Sequence, residues 1–304
     1  MSSDRRIHFV RHRRIFFAIS IALTLIGALS LALAGLNLGI DFQSGTSLDI
    51  TTGQRMTMEE LQPIFAEAGT DPALTIGGDN SDRVSARFPE ALEKDVRDQI
   101  LAAFRDKYGS DNVSVEETTV DAEMAREFGR NTIIYVGLAS LLIMGYVIAR
   151  FEWRFAVSGI IALFLDAFMV VTIFSVFRLE VNLPFVAAVL TVIGYSINDT
   201  IVIFDRIREN LRFAKLKTFD DVSELVNRSL WQTLTRTINT GVSVLVVAIA
   251  LCVFGSEAIR LFSLAMILGI VFGMYSSLFI AGQLWAVLKY RSLARARNKK
   301  PAAA

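Results

Sequence analysis

The residues best suited to chemistry lie in an apolar stretch, residues 192–210, with the sequence VIGYSINDTIVIFDRIREN. Asn198 and Asp199 lie inside this stretch, and a dense run of charged residues follows them. A carboxylate placed in hydrocarbon costs about 2.5–3.5 kcal/mol on insertion scales, so it is rarely kept without a use. Asp199 is therefore the first candidate for a functional group.

Two further charges are predicted to lie at membrane depth. Asp166 is twelve residues from both Arg154 and Arg178, which places it ~18 Å from each of them along a helix. Arg236 lies in a later apolar helix, at a depth from which its long side chain could reach the level of Asp199. Burial disfavours an ionised carboxyl and a guanidinium favours it, so a small movement could switch its protonation. This behaviour suits a proton carrier, although such charges could also serve only to lock helices together.

The neighbours of these charges differ in what they can contribute. Tyr195, one helical turn before Asp199, shares its face, whereas Asn198 lies about 100° further round the helix. Both could supply hydrogen bonds to the carboxyl group. Arg236 could instead extend its side chain to the membrane surface. Asp166 has only apolar neighbours in sequence, so it must face another helix or water.

The composition indicates a polytopic membrane protein. The chain has 304 residues, of which 53% are apolar, and its mean hydropathy is +0.47. A soluble domain has about 45–50% apolar residues. A single cysteine, Cys252, excludes an internal disulfide. The two histidines, His8 and His12, both lie in the N-terminal tail, which argues against a metal site and against a histidine-based catalytic triad.

The sequence gives no sign of nucleic acid binding or of nucleotide-driven activity. A net charge of +1 gives no reason to expect nucleic acid. The sequence has neither a GxxxxGK[ST] nor a GxGxxG pattern, so no nucleotide cofactor and no enzymatic activity are expected. Work would then have to be driven by an ion gradient or by a partner. One proton crossing 100 mV releases about 2.3 kcal/mol.

Six apolar segments are long enough to cross about 30 Å of hydrocarbon. The first covers residues 15–36, behind a basic tail at 1–14. A cleaved signal peptide is the alternative for this segment, but its apolar core exceeds the usual 7–15 residues. The other five segments cover residues 132–149, 155–177, 184–204, 237–254 and 261–288.

Residues 37–128, between the first two spans, are polar and are predicted to form an α+β domain. The predicted strands cover residues 47–51, 73–76 and 84–88 and a segment beginning at 113, and the predicted helices cover 57–68 and 91–108. Thr57 and Glu60 fit a capping box at the start of the first helix. This order of elements predicts a ferredoxin-like domain. It contains no cluster of residues that could do chemistry, which favours docking or bearing force.

The distribution of Lys and Arg predicts the orientation in the membrane. The basic segments fall on one side if the spans alternate, which predicts two cytoplasmic termini and an outward-facing domain. The layout is then one span, the domain and five spans within residues 129–288, followed by a basic tail at 289–304. Residues 206–231 are predicted to form an amphipathic cytoplasmic connector. All three tryptophans fall at predicted cytoplasmic ends, as an interfacial belt requires: Trp153, Trp231 and Trp285.

A pair of glycines in the sixth span predicts close helix packing. Gly269-x-x-x-Gly273 is followed by Ser276, Ser277 and Gly282. Small residues at this spacing let two helices approach closely in a membrane.

Several motifs together resemble the SecF family, subunits of the bacterial SecD–SecF accessory complex of the Sec export machinery. The matching elements are Gly39-Ile40-Asp41-Phe42, the stretch 192–210, Arg236-Thr237 with Thr240, and Phe254-Gly255. The sequence departs from the family pattern at Gln43-Ser44-Gly45 and at Ser256. Both departures affect predicted outer-surface turns and not the assignment.

The resemblance implies a proton-driven or sodium-driven motor in the bacterial inner membrane. In it, SecD and SecF spans pack as a pseudo-symmetric pair, and the periplasmic domains grip unfolded preprotein emerging from the SecYEG channel. Asp199 corresponds to the family's essential fourth-span Asp, Arg236 to its fifth-span Arg and Asp166 to a common third-span Asp. Gly39, Asp41 and Phe42 correspond to the periplasmic motif. The implied partners are SecD, SecYEG, YajC, preprotein, the coupling ion and membrane lipid.

Two alternatives remain open at this point. One is half of a proton-driven exporter of the resistance–nodulation–division type, although such exporters need a larger outward domain and usually a second repeat. The other is a passive scaffold of the translocase, in which the buried charges serve only assembly.

Overall fold

The computed structural model describes residues 8–78, 80–110, 112–255 and 257–298. These residues form two compact units. The membrane unit comprises the described residues of Met1–Asn37, Val136–Leu179 and Pro184–Ala304, and the sheet unit comprises those of Leu38–Tyr135 and Glu180–Leu183. Residues 1–7 and 299–304 of the predicted basic tails, and the departure at Ser256, lie outside the described residues.

Nine α-helices, a π-helical turn and six strands occur in the part of the chain that the structure describes. The helices are α1 (Arg13–Leu33), α2 (Met58–Glu67), α3 (Lys94–Tyr108), α4 (Ala122–Arg150), α5 (Trp153–Val176), α6 (Leu183–Leu211), α7 (Phe219–Phe254), α8 (Glu257–Ser276) and α9 (Gly282–Asn298). The π-turn is Ser277–Ala281, between α8 and α9. The strands are β1 (Asn37–Leu38), β2 (Gly45–Thr51), β3 (Ala73–Gly77), β4 (Arg83–Phe88), β5 (Ser114–Val120) and β6 (Glu180–Val181).

Six helical segments are long and apolar enough to cross a membrane, judged by length and composition over the described residues. They are α1, α4, α5, α6, α7 and a composite sixth segment, Ile259–Arg295, that contains the π-turn. The six predicted spans coincide with them. Some of the helices are longer than the predicted spans because polar residues extend them at their ends: α4 begins at Ala122 and α6 continues to Leu211.

The sheet unit contains a four-stranded antiparallel sheet in the order β3-β4-β2-β5. Its elements follow in the predicted order, strand–helix–strand–strand–helix–strand. Alternate residues of β4, namely Val84, Ala86 and Phe88, are buried, as the two-residue period of a strand with one covered face requires. They join side chains of α2 and α3, including Phe65 and Phe104, in one apolar core.

Two predictions of helix capping and boundaries differ from the structure. Thr57 is the N-cap of α2, but its side chain makes no capping hydrogen bond, so the predicted capping box there is wrong. A complete capping box instead begins α7. The Thr218 hydroxyl accepts from the Asp221 N–H at 3.2 Å, and the Asp221 carboxylate accepts from the Thr218 N–H at 2.8 Å.

Residues 206–231, predicted to form a connector, belong mostly to two long helices. Residues 206–211 end α6, and Phe219 begins α7. The interruption between them is short, and the Thr218 capping box fixes where α7 starts.

Trp285, predicted to belong to an interfacial belt, does not face the surface of the chain. Its side chain is fully buried and stacks on Phe155 with ring centroids 4.7 Å apart. Trp153, by contrast, is 57% exposed. Trp285 therefore belongs to the interior of the membrane unit, where α5 and α9 meet.

The core of the sheet unit should depend strongly on Phe104, which is fully buried and packs against Phe65 at 5.8 Å between ring centroids. We expect Phe104→Ala to lower the free energy of unfolding of this unit by about 3–5 kcal/mol, because it leaves a cavity. Pulse proteolysis of the membrane-embedded protein across a urea series would measure this loss. Met58→Ala, at an exposed position of α2, is the control. Equal urea midpoints for the two variants would contradict the assigned core.

Candidate functional site

Asp166 lies fully buried in α5, and its partner comes from another helix. The Ser196 hydroxyl of α6 donates to Asp166 Oδ2 at 2.5 Å, and the Ser276 side chain lies close by. Asp166 Oδ1 is buried without a hydrogen-bond partner. The Ser196 hydroxyl thus holds one oxygen of the carboxyl group, and Ser276 lies beside the group.

Asp199 lies on α6 and is 4% exposed. Its Oδ2 is buried without a hydrogen-bond partner. Arg236 of α7 acts on it electrostatically, yet no ion pair or hydrogen bond joins the two side chains in the described parts of the chain. Arg236 itself is exposed on the surface of the chain. The structure therefore brings the two predicted charges into one neighbourhood without closing a salt bridge.

Of the three predicted supporting residues, the side chains of Tyr195 and Thr240 lie near the charges and that of Asn198 does not. Tyr195 lies beside Asp199 and Thr240, although its buried hydroxyl makes no hydrogen bond of ordinary geometry. The Thr240 hydroxyl donates to the Arg236 carbonyl of the same helix at 2.9 Å. Asn198 is exposed and points away from Asp199, as the 100° step between adjacent helical residues requires.

Four buried hydroxyl groups near the carboxylates were not singled out from the sequence as part of a site. Ser196 and Thr200 lie one turn apart on α6 and are buried, as Asp199 is, and the Thr200 hydroxyl is 2.9 Å from that of Ser277. Ser276 and Ser277 had suggested only close packing. The available signal was their combination, since two small hydroxyl residues lie within one turn of a membrane carboxylate.

Glycines bring the sixth span against α6. A Cβ on Gly269 would lie 2.2 Å from Val192 Cγ2, and one on Gly273 would lie 3.2 Å from Ser196 Cβ. Any side chain at Gly269 would force the helices apart. The close packing predicted for Gly269-x-x-x-Gly273 is confirmed, and it occurs directly beside the residues that hold Asp166.

The predicted outer motif forms a separate small cluster in the sheet unit. Gly39 N–H donates to the Val181 carbonyl at 2.8 Å, and Phe42 N–H donates back to the Gly39 carbonyl at 3.0 Å. Asp41 Oδ2 accepts from the Leu183 N–H at 2.7 Å. Because Leu183 is the first residue of α6, Asp41 satisfies one of the free N–H groups at that helix end.

Two family models match the chain. The model described as protein export membrane protein SecD/SecF, C-terminal, matches residues 99–291, and the SecD/SecF GG motif matches residues 29–54. The first covers most of the described membrane helices, and the second covers the outer motif. The chain is thus a protein-export membrane protein of the SecD/SecF class.

Proteins named SecF are similar to this chain over nearly their whole length. The chain is 42% identical over 301 residues to protein translocase subunit SecF of Alicyclobacillus acidocaldarius, covering 98% of both proteins. It is 38% identical to SecF of Rhodothermus marinus, covering 95% of both. The chain belongs to the SecF family of protein translocase subunits and is a multi-pass membrane protein.

SecDF proteins are also similar, but only over part of their length. The chain is 44% identical to SecDF of Bacillus subtilis, covering 94% of this chain and 38% of that protein. The crystal structure of SecDF from Thermus thermophilus aligns with a TM-score of 0.84 at 32% identity, covering 96% of this chain and 40% of that one. The chain therefore spans well under half of these longer proteins.

The glycine contact beside the site gives a direct test. We expect Gly269→Leu to separate the sixth span from α6 and to lower the amount of protein in the membrane, because its side chain would collide with Val192. Gly137→Leu is the matched control, since a Cβ there meets nothing within 4 Å. Membrane levels by blot and thermal aggregation of the purified protein measure the difference. Equal behaviour of the two leucine variants would contradict the packing.

Proposed function

We propose that this SecF-family chain, together with a SecD partner, uses a proton or sodium gradient to promote preprotein translocation through the SecYEG channel at its periplasmic side. The observation that carries the proposal is the state of Asp199. It is a nearly fully buried carboxylate on a membrane helix with one oxygen unpartnered, and Arg236 lies within electrostatic reach. Such groups in membrane helices commonly mark ion pathways.

Each charged residue has a distinct proposed role. Asp199 gains and loses the coupling ion, and Arg236 is its gating partner, closing on the ionised carboxylate and withdrawing when the carboxylate is neutralised. Asp166 is a second relay station, supported by its complete burial and its unpartnered Oδ1. Tyr195 and Thr240 line this neighbourhood. The exposed position of Asn198 suits contact with a partner helix better than contact with Asp199.

The proposed topology follows the predicted one. The sheet unit is a ferredoxin-like periplasmic domain between the first and second spans, and both termini are cytoplasmic. The observed strand order β3-β4-β2-β5, with α2 and α3 as connections, supports this fold. The protein lies in the bacterial inner membrane with one span before the domain and five after it. It does mechanical work rather than enzymatic catalysis.

The proposed partners have different support. A SecD partner is supported by the similarity to proteins named SecDF, which are longer than this chain. SecYEG, YajC, unfolded preprotein and membrane lipid follow from the family resemblance. The same similarities favour an export subunit over half of a resistance–nodulation–division exporter.

Replacing the titrating group should uncouple export from the gradient. In cells whose only copy is Asp199→Asn, we expect export of a slow periplasmic substrate to fall and to lose its sensitivity to an uncoupler. The reason is that an amide side chain does not ionise, so it can neither release a proton nor hold a negative charge. The membrane level of the protein should stay normal, as measured by blot. Asp71→Asn, an exposed acid in the sheet unit, is the control.

Two results would contradict the motor. Unchanged, uncoupler-sensitive export in Asp199→Asn cells would show that the carboxylate is not the coupling group. A loss of membrane protein without any change in export per molecule would instead favour the passive scaffold.

Arg236 should act through its charge. We expect Arg236→Leu to abolish gradient-dependent export, whereas Arg236→Lys retains part of it because a cation remains near Asp199. Uncoupler titration of export, normalised to the membrane level of each variant, shows which of the two variants keeps more gradient-dependent export. Equal export by both variants and the unsubstituted protein would show that the arginine only extends to the membrane surface.

A further inference from the structure

Two hydrogen-bonded bridges flank Asp199 along α6. Ser196, three residues before it, donates to Asp166 of α5 at 2.5 Å. Thr200, the next residue after it, is hydrogen-bonded to Ser277 of the π-turn at 2.9 Å. All four bridging side chains are fully buried. The turn of α6 that carries Asp199 is therefore tied on both sides to neighbouring elements.

Hydroxyl contacts of two kinds occur among the described membrane helices. Some join two helices, as Ser30 of α1 joins Ser175 of α5 at 2.8 Å, and others stay within one helix. The hydroxyls of Ser158, Thr191 and Ser263 each donate to the carbonyl four residues earlier on the same helix. Bonds within one helix do not restrict how it turns against its neighbours. The Ser196 and Thr200 bonds cross between elements, so they oppose rotation of α6 about its axis.

The π-turn supplies the second bridge. Ser277 is its first residue, at the point where α8 ends. Single π-turns inside helices are rare and frequently occur at functional sites. Just before this turn, Gly273 lets the sixth span approach Ser196. The close approach and the change of helix geometry thus lie together against Ser196 and Thr200, on the turn of α6 that contains Asp199.

We infer that Ser196, Thr200 and Ser277 are positioning residues for the ion-coupled step, holding α6 at the rotation that directs Asp199 into the membrane unit. The inference rests on the proposed function of Asp199 and extends it to three uncharged residues. These residues do not carry the ion; they set the direction in which the carboxylate faces.

The test compares Thr200→Val, Ser277→Ala and the double variant. Each single variant should lower uncoupler-sensitive export per molecule roughly threefold to tenfold, the size of effect typical of residues in contact. The double variant should lose no more than the singles, because both belong to one bridge. Each single variant should also lower the membrane level, because it leaves one buried hydroxyl unpaired, whereas the double variant should restore that level because it leaves none. Ser196→Ala should show the same loss of export.

Thr191→Val and Ser158→Ala are the matched controls, because they remove buried or helix-bound hydroxyls that form no bridge. We expect them to export like the unsubstituted protein. If the double variant recovers both its membrane level and its uncoupler-sensitive export, the bridge is structural and the inference is overturned.

Asp199→Asn, assayed in parallel, separates the two possible failures. If it loses uncoupler-sensitive export while the bridge variants behave like the controls, only the inference fails. If Asp199→Asn itself keeps uncoupler-sensitive export, the proposed function fails and the inference fails with it.

Discussion

A carboxylate within a membrane helix must find its partners inside the protein, because hydrocarbon offers none. This constraint shapes the membrane unit. Asp166 obtains one hydrogen bond from Ser196 on the next span and has Ser276 close by. Asp199 receives no hydrogen bond at Oδ2 and lies within electrostatic reach of Arg236. The two acids thus experience different surroundings: one is held by a hydroxyl, and the other is left responsive to a charge.

Bringing such partners into reach requires helices that approach closely. Lipid tails are as apolar as leucine, so the hydrophobic effect does not drive helices together in a bilayer, and packing must be close to be favourable. Gly269 and Gly273 allow this approach against Val192 and Ser196. The same contact places the sixth span where Ser276 and Ser277 can reach the carboxylate region. Packing and polar chemistry therefore depend on the same few small residues.

Sequence reasoning singled out the charges in the membrane helices and missed the serine and threonine hydroxyls that bond around them. Asp166, Asp199 and Arg236 stand out because charge is rare in apolar stretches and its cost is large. Ser196, Thr200 and Ser277 do not, because serine and threonine in a membrane helix usually bond to their own backbone, as Ser158 does. Asn198 was the opposite case: it is adjacent to Asp199 in sequence but exposed in the structure.

The sequence by itself determined the six spans, the order of strands and helices in the sheet unit and the identity of the buried charges. These follow from local properties: the length of apolar runs, the periodicity of side chains and the cost of burying charge. Only the tertiary structure decided that Ser196 serves Asp166, that Arg236 stays short of a salt bridge with Asp199 and that Trp285 is buried. Such facts depend on the rotation and register of helices distant in sequence, which the packing of many side chains sets together.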